Sequence, residues 1–271
     1  MSRGRLDKRA LSEISKKVPD LTNYWQRVRI LNPNTISIKF VHESRVPIAA
    51  VCLNDTLSAV GEATYALRES YAHYVWYRAK SNKPIEYTSI YFARYYSDDV
   101  ALRLYTASEH LANSLVAMLP ITKKNLKRYK KKQRSQASVV GRYLMKQRPF
   151  HPLTTLFSKL HSTKEWREVI EYRNEWVHNQ PPLIAGLGIQ YSRKPRWEET
   201  STNGIVTGHR LYGGGGDKPK YTVDDLQKLV SFALFAFLEV FDKVIDFYFE
   251  ILAKKQITLN INKNGLSVKF P

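Results

Sequence analysis

The chain of 271 residues has a single cysteine, Cys52. One thiol excludes an internal disulfide and any zinc site built on several cysteines. Long apolar runs are missing as well. The most apolar segment, Leu229 to Leu238, is followed by Glu239, Asp242, Lys243 and Asp246, so it is too short and too soon charged to span a bilayer. Met1 to Arg9 has no apolar core of the kind a signal peptide needs. The expectation is a cytoplasmic protein with no membrane partner.

Acidic residues are scarce. There are 24 Asp and Glu against 43 Lys and Arg, a formal net charge of +19, and the stretch from Ile121 to Arg148 contains none. The few paired carboxylates, Asp98-Asp99 and Asp224-Asp225, read as charges at helix starts, not as the carboxylate cluster a two-metal nuclease needs. His42, His73, His151, His161 and His209 show no metal-ligand spacing. Gly213 to Gly216 lacks the Gly-Lys-Ser/Thr ending of a phosphate-binding loop and reads as a flexible loop. No internal repeat is present.

What the sequence does contain is ample apolar material, 43% of residues with 12% aromatic, enough for a buried core. An excess of basic charge that large points to a polyanionic partner, nucleic acid first and a membrane surface second. A basic surface without a specific partner is the plainer alternative.

Periodicity predicts a mainly α fold. Asn34 to Phe40 alternates as a half-buried strand would. From Asn54 the spacing turns helical through Leu57, Val60, Leu67 and Tyr71, with Asn54 or Asp55 as cap. A second helix is expected from Ser97 to Pro120, with Val100, Leu104, Ala107, Leu111 and Leu115 inward. A third opens on Ser162-Thr163-Lys164-Glu165, a capping-box pattern, and stops before Pro181 and Pro182; its expected buried side is Trp166, Val169, Ile170, Trp176 and Val177. The longest begins after Thr222 and runs through Phe237 and Phe241 to Ile251. The expected organisation is an N-terminal mixed α/β segment over 1–53 and a helical bundle over 54–253. The bundle carries a basic segment at 121–148 and a loop insertion with β-like pieces at 181–220. A C-terminal β-hairpin over 254–271, turning at Asn262 to Gly265, completes it.

The stretch richest in chemistry is Arg173-Asn174-Glu175-Trp176-Val177-His178. An arginine that keeps its proton can hold phosphate oxygens, while a histidine moves protons at neutral pH. At about 100° per residue, Asn174 and His178 share a helix face, whereas Arg173 and His178 lie roughly 140° apart. One regular helix does not converge them. A loosened last turn or a second chain would. The plainer reading is an arginine on a solvated face and a histidine at a helix end.

The same string resembles the Arg-x(4–6)-His motif of the HEPN superfamily, including the polar residue that commonly follows the arginine. The resemblance covers the bundle from roughly Asn54 to Ala253. It implies a helical bundle with the motif near the end of a helix, and an endoribonuclease that needs no metal or other cofactor and acts as a homodimer. His178 would take the proton from an RNA 2′-hydroxyl, Arg173 would stabilise the phosphorane, and Asn174 would orient the phosphate or the imidazole. A second His178 across the dimer would protonate the leaving oxygen, giving a 2′,3′-cyclic phosphate and a 5′-hydroxyl. Such proteins serve as toxins and in antiviral defence by abortive infection, so an antitoxin or other regulatory partner is a further expectation. Asn179-Gln180 lacks the tyrosine that follows the histidine in HEPN toxins paired with nucleotidyltransferase antitoxins.

Two further sets complete the candidates. Lys123, Lys124, Lys127, Arg128, Lys130, Lys131, Lys132 and Arg134 form an RNA-binding run, with Tyr129 and Tyr143 available to stack on unpaired bases; a solvated basic linker is the alternative. Glu109 and Asn179 are candidate supporting residues for the motif, Glu109 having a structural hydrogen bond as its alternative. Against the ribonuclease stands a non-catalytic helical RNA-binding or adaptor protein.

Overall fold

The computed structural model describes residues 8–29, 31, 45–79, 86–130, 135–178, 182–185, 187, 192–214, 219–255, 258–262 and 265–269. Among them nine helices follow one another: α1 (Lys8–Lys17), α2 (Thr22–Arg29), α3 (Arg45–Ala79), α4 (Glu86–Met118), α5 (Lys123–Lys127), α6 (Gln136–Gln147), α7 (Pro152–Ser162), α8 (Lys164–His178) and, after a hairpin, α9 (Val223–Lys254). The hairpin pairs β1 (Ser192–Thr202) with β2 (Ile205–Gly214), and a second one pairs β3 (Thr258–Asn262) with β4 (Gly265–Lys269). The fold is mainly α, as periodicity predicts.

α3 and α4 form an antiparallel hairpin. Ser70 meets Ser97, Glu62 meets Arg103, and Asp55 approaches His110, so one chain rises as the other falls. α9 completes the centre. Leu53, Leu57 and Leu67 of α3, Leu104, Leu111 and Leu115 of α4, and Phe237, Phe241 and Tyr248 of α9 are fully buried. Each such side chain contributes about 1.5–3 kcal/mol by leaving water. One polar knot ties the three helices: Ser70 Oγ donates to the Ala93 carbonyl and accepts from Gln227 Nε2 at 2.8 Å. A buried hydroxyl left unpaired there would cost about 1–3 kcal/mol, so the knot fixes register.

Several element starts differ from the sequence reading. α3 begins at Arg45, with Pro47 in its first turn where a missing N–H costs nothing. Asn54 lies inside it, and its amide donates to the carbonyls of Ala50 and Leu31 instead of capping. α4 begins at Glu86, so Asp98 is no helix-start charge: it is buried mid-helix beside Arg94 and accepts from Tyr172. The 8–29 region is helical and enters the same core through Ile14, Val18, Leu21 and Val28. Arg27 of α2 bridges to Asp242 and Asp246 of α9. The strand expected over 34–40 lies outside the described residues.

In the 181–220 insertion the β-like pieces form the β1–β2 hairpin. Asn203 and Gly204 turn it with φ of 53° and 79°, the positive pair that suits the twist of a two-residue turn. Gly213 and Gly214, expected in a flexible loop, belong to β2, where Gly214 pairs with Ser192; 215–218 lie outside the described residues. Asn262 pairs with Gly265 in the C-terminal hairpin, where the alternation places the turn. Among the described residues no helix is long and apolar enough to cross a membrane.

Candidate active groove

α8 is held by Trp166, Val169 and Tyr172, all buried. Trp166 stacks on Phe237 of α9 at 5.5 Å, and the Tyr172 hydroxyl donates to Asp98 of α4. Those anchors fix the helix rotation. Trp176 and Val177, expected on the buried side, are 37% and 41% exposed.

With that rotation set, Arg173, Asn174 and His178 all line one groove of about 790 Å³, bounded across from α8 by Tyr105 and Ser108 of α4, Ser135 and Ser138 at the start of α6, and His161 of α7. Arg173 is half-buried on the floor. Its guanidinium carbon lies 3.8 Å from the centre of the Tyr105 ring, and its Nη1 donates to Asn174 Oδ1 at 3.0 Å. Its Nε is shut off from water and has no hydrogen-bond partner among the described residues. An arginine carries five N–H donors in a fixed fork. Here the stacked ring and Asn174 set the plane of that fork. Asn174 and His178 are exposed. Glu175 forms an ion pair with Lys220 at 3.2 Å, which fastens the end of the insertion to the rim.

Behind the groove sits a second set. Asp98 is buried, and loss of water pushes its carboxyl up to about 6 despite the opposing pull of the Arg94 guanidinium and the Tyr172 hydroxyl. Burial and the neighbouring carboxylate push the Tyr172 phenol up as well. This pair joins α4 to α8 directly below the motif.

Glu109 does not reach the motif. Its two oxygens accept from the backbone N–H groups of Gln136 and Ala137 at 2.8 and 3.1 Å. It therefore caps α6, satisfying two of the donors that a helix start leaves open. The cap has a consequence for the site: it presents Ser135 beside Tyr105, whose ring carries Arg173. Asn179 lies outside the described residues.

The basic run divides. Lys123, Lys124, Lys127, Arg128 and Lys130 are exposed, on and after the short α5, whose Thr122–Asn125 capping box and buried Leu126 fix it in place. Lys131, Lys132 and Arg134 lie outside the described residues. The tyrosines expected to stack on bases are otherwise engaged. Tyr143 is buried, and Tyr129 packs edge-on against it at 5.8 Å while accepting from Gln147.

Sequence reasoning missed Tyr105 and His161. Tyr105 has no motif to mark it, since its partner is on a distant helix. His161 is lowered by burial, and its ring lies over Gly141, where a Cβ would come within 3.4 Å. It lines the Trp166 end of the groove, and Trp166 and His178 are about 18 Å apart along α8 at 1.5 Å per residue. His161, three residues before the start of α8, thus lies towards the end of that helix away from His178. Among the described residues no three His, Cys, Asp or Glu side chains gather as a metal site would require. Comparison with protein-family models, with curated proteins and with solved structures finds no match.

Proposed function

We propose that the chain is an endoribonuclease of the HEPN kind, with Arg173, Asn174 and His178 as its catalytic set. One observation carries the reading: the three residues open onto the same groove, with the arginine's plane already set by Tyr105 and Asn174. Preset donors stabilise a developing charge without reorganising as it forms. The net charge of +19 fits an RNA partner.

In this reading His178 takes the proton of an RNA 2′-hydroxyl. The 2′-oxygen forms a bond to the adjacent phosphorus, and the bond from phosphorus to the 5′-oxygen breaks in line. Arg173 holds the phosphorane oxygens through N–H groups not used on Asn174, and Asn174 orients the phosphate or the imidazole. The leaving 5′-oxygen needs a proton from the opposite side. α8 is regular through His178 and keeps Arg173 and His178 about 140° apart, so a second copy of the chain supplies the second His178. Phe232 and Phe235 of α9, both exposed, offer apolar surface for a two-fold contact. Phe241 of the same helix is buried, with Tyr24 and Phe237 stacked on it. An antitoxin-like or other regulatory partner belongs to the same reading, as does a role in antiviral defence.

The test is cleavage of RNA by the full chain in a chelator, followed by analysis of the product ends. Cyclic 2′,3′-phosphate and 5′-hydroxyl ends are expected. Cleavage that needs added metal, or that leaves 5′-phosphates, overturns the mechanism. RNA bound and never cut leaves the non-catalytic RNA-binding protein.

A further inference from the structure

Tyr143 is buried and Tyr129 is partly buried with its ring edge-on against it, and the exposed aromatics lie elsewhere. In the first half of α4, Tyr87, Tyr91 and Tyr95 are 54%, 47% and 56% exposed. They recur every four residues, so they form one stripe. No side-chain hydrogen bond holds their hydroxyls among the described residues.

The position of the stripe is fixed by its neighbours. Arg94 and Asp98 lie on the same side of α4: with the three tyrosines they fall within an arc of about 100°. Arg94 donates to the Pro182 carbonyl, just past α8, and Asp98 accepts from Tyr172 within α8. Trp176, 37% exposed and two residues before His178, has its indole beside the Asp98 carboxylate. The last turns of α8 therefore cover this face at Asp98. Towards Tyr87, about 16 Å further along α4, the face is left to water. A row of rings thus leads from Trp176, beside Asp98 and two residues before His178, along Tyr95, Tyr91 and Tyr87.

We infer that this row is a stacking platform for the unpaired bases of single-stranded RNA, which it delivers to the His178 end of the groove. Three features favour this occupant. The rings recur along a helix, as successive bases recur along a strand. The chain's charge of +19 attracts a polyanion. The row begins at Trp176, two residues before His178 on the same helix, so a strand lying on it comes close to the motif. Base-paired RNA keeps its base faces inside the helix and offers nothing to stack, which makes the substrate single-stranded. The inference rests on the ribonuclease reading for where the strand is led, but not for the binding itself.

The experiment measures binding on a His178→Ala chain, so that cutting does not interfere. The probe is a short oligouridylate, with a fully paired RNA of the same length beside it. Tyr91→Ala with Tyr95→Ala is expected to weaken the single strand by about tenfold or more, and to leave the duplex unchanged. Tyr91→Phe with Tyr95→Phe, which keeps the rings, is expected to bind as the parent does. Should the alanine pair fail to fold, photo-crosslinking of 4-thiouridine RNA to the unaltered face decides: adducts within 87–95 support the platform, and their absence overturns it. Unchanged affinity in the alanine pair overturns it too. So does a shift from dimer to monomer in that pair without weaker RNA binding, which would make the stripe a contact between copies. Platform-dependent binding in a chain that never cuts RNA would remove the ribonuclease reading and leave the platform standing.

Discussion

The guanidinium carbon of Arg173 lies over the ring of Tyr105, 3.8 Å from its centre, although the two residues come from different helices. Within the groove this contact decides what the arginine can do. It removes one face of the fork from water, while Asn174 takes one donor at the edge. The remaining donors are held in a plane before any phosphate arrives.

Tyr105 accordingly acts as a positioning residue. Tyr105→Leu keeps much of the bulk and loses the ring, and should lower kcat by roughly two- to thirtyfold, the worth of a cation–π contact of about 0.5–2 kcal/mol. Tyr105→Phe should stay near the parent. Single-turnover rates on both variants, beside thermal melts, check this. A leucine variant as fast as the parent would show that the ring does not set the arginine.

Asp98 predicts a pH dependence of stability. Its folded value of about 6 lies above the ordinary 3.8, so the folded chain holds this proton more tightly than the unfolded one. The stabilisation is complete below the ordinary value and is lost as pH rises through about 6. Asp98→Asn keeps an acceptor for Tyr172 and removes the titration. Urea unfolding across pH 4 to 7 should show the parent losing up to about 3 kcal/mol relative to Asp98→Asn. Parallel curves would contradict the burial argument.

Much of this architecture is legible in the sequence, and the misses share a cause. The bundle, α9 with its Thr222 cap, and the C-terminal hairpin follow from local spacing, because a helix cap or a strand alternation needs only neighbouring residues. Asp98 misled for the opposite reason. Acidic residues after a serine look like a helix start, and only Arg94 and Tyr172, one of them on α8, show that the carboxylate is buried. Tyr143 misled likewise: a tyrosine among lysines reads as exposed until α6 turns it inward. Glu109 looked like a neighbour of the motif, and the start of α6 claims it. The motif residues were legible as chemistry, but the ring that orients the arginine was not, since nothing in sequence links Tyr105 to Arg173.

The basic ridge should control affinity more than rate. Lys124→Glu, Lys127→Glu and Arg128→Glu together should weaken RNA binding and reduce the salt slope of log K by about 2, at about 0.7 for each lost single-strand phosphate contact. The rate at saturating RNA should hold. Binding isotherms at several salt concentrations check it, and an unchanged slope would make the ridge a solvated surface.

The most direct test of the central claim is the single-turnover cleavage rate of Arg173→Ala and His178→Ala at saturating RNA in a chelator. His178 is exposed and Arg173 is half-buried at the groove, outside the buried core, so the variants should fold and bind RNA while cutting at least about a hundredfold more slowly, the lower range of what a general base or an oxyanion donor contributes. A His178→Ala chain that binds RNA and cuts it at the parent rate would contradict the account.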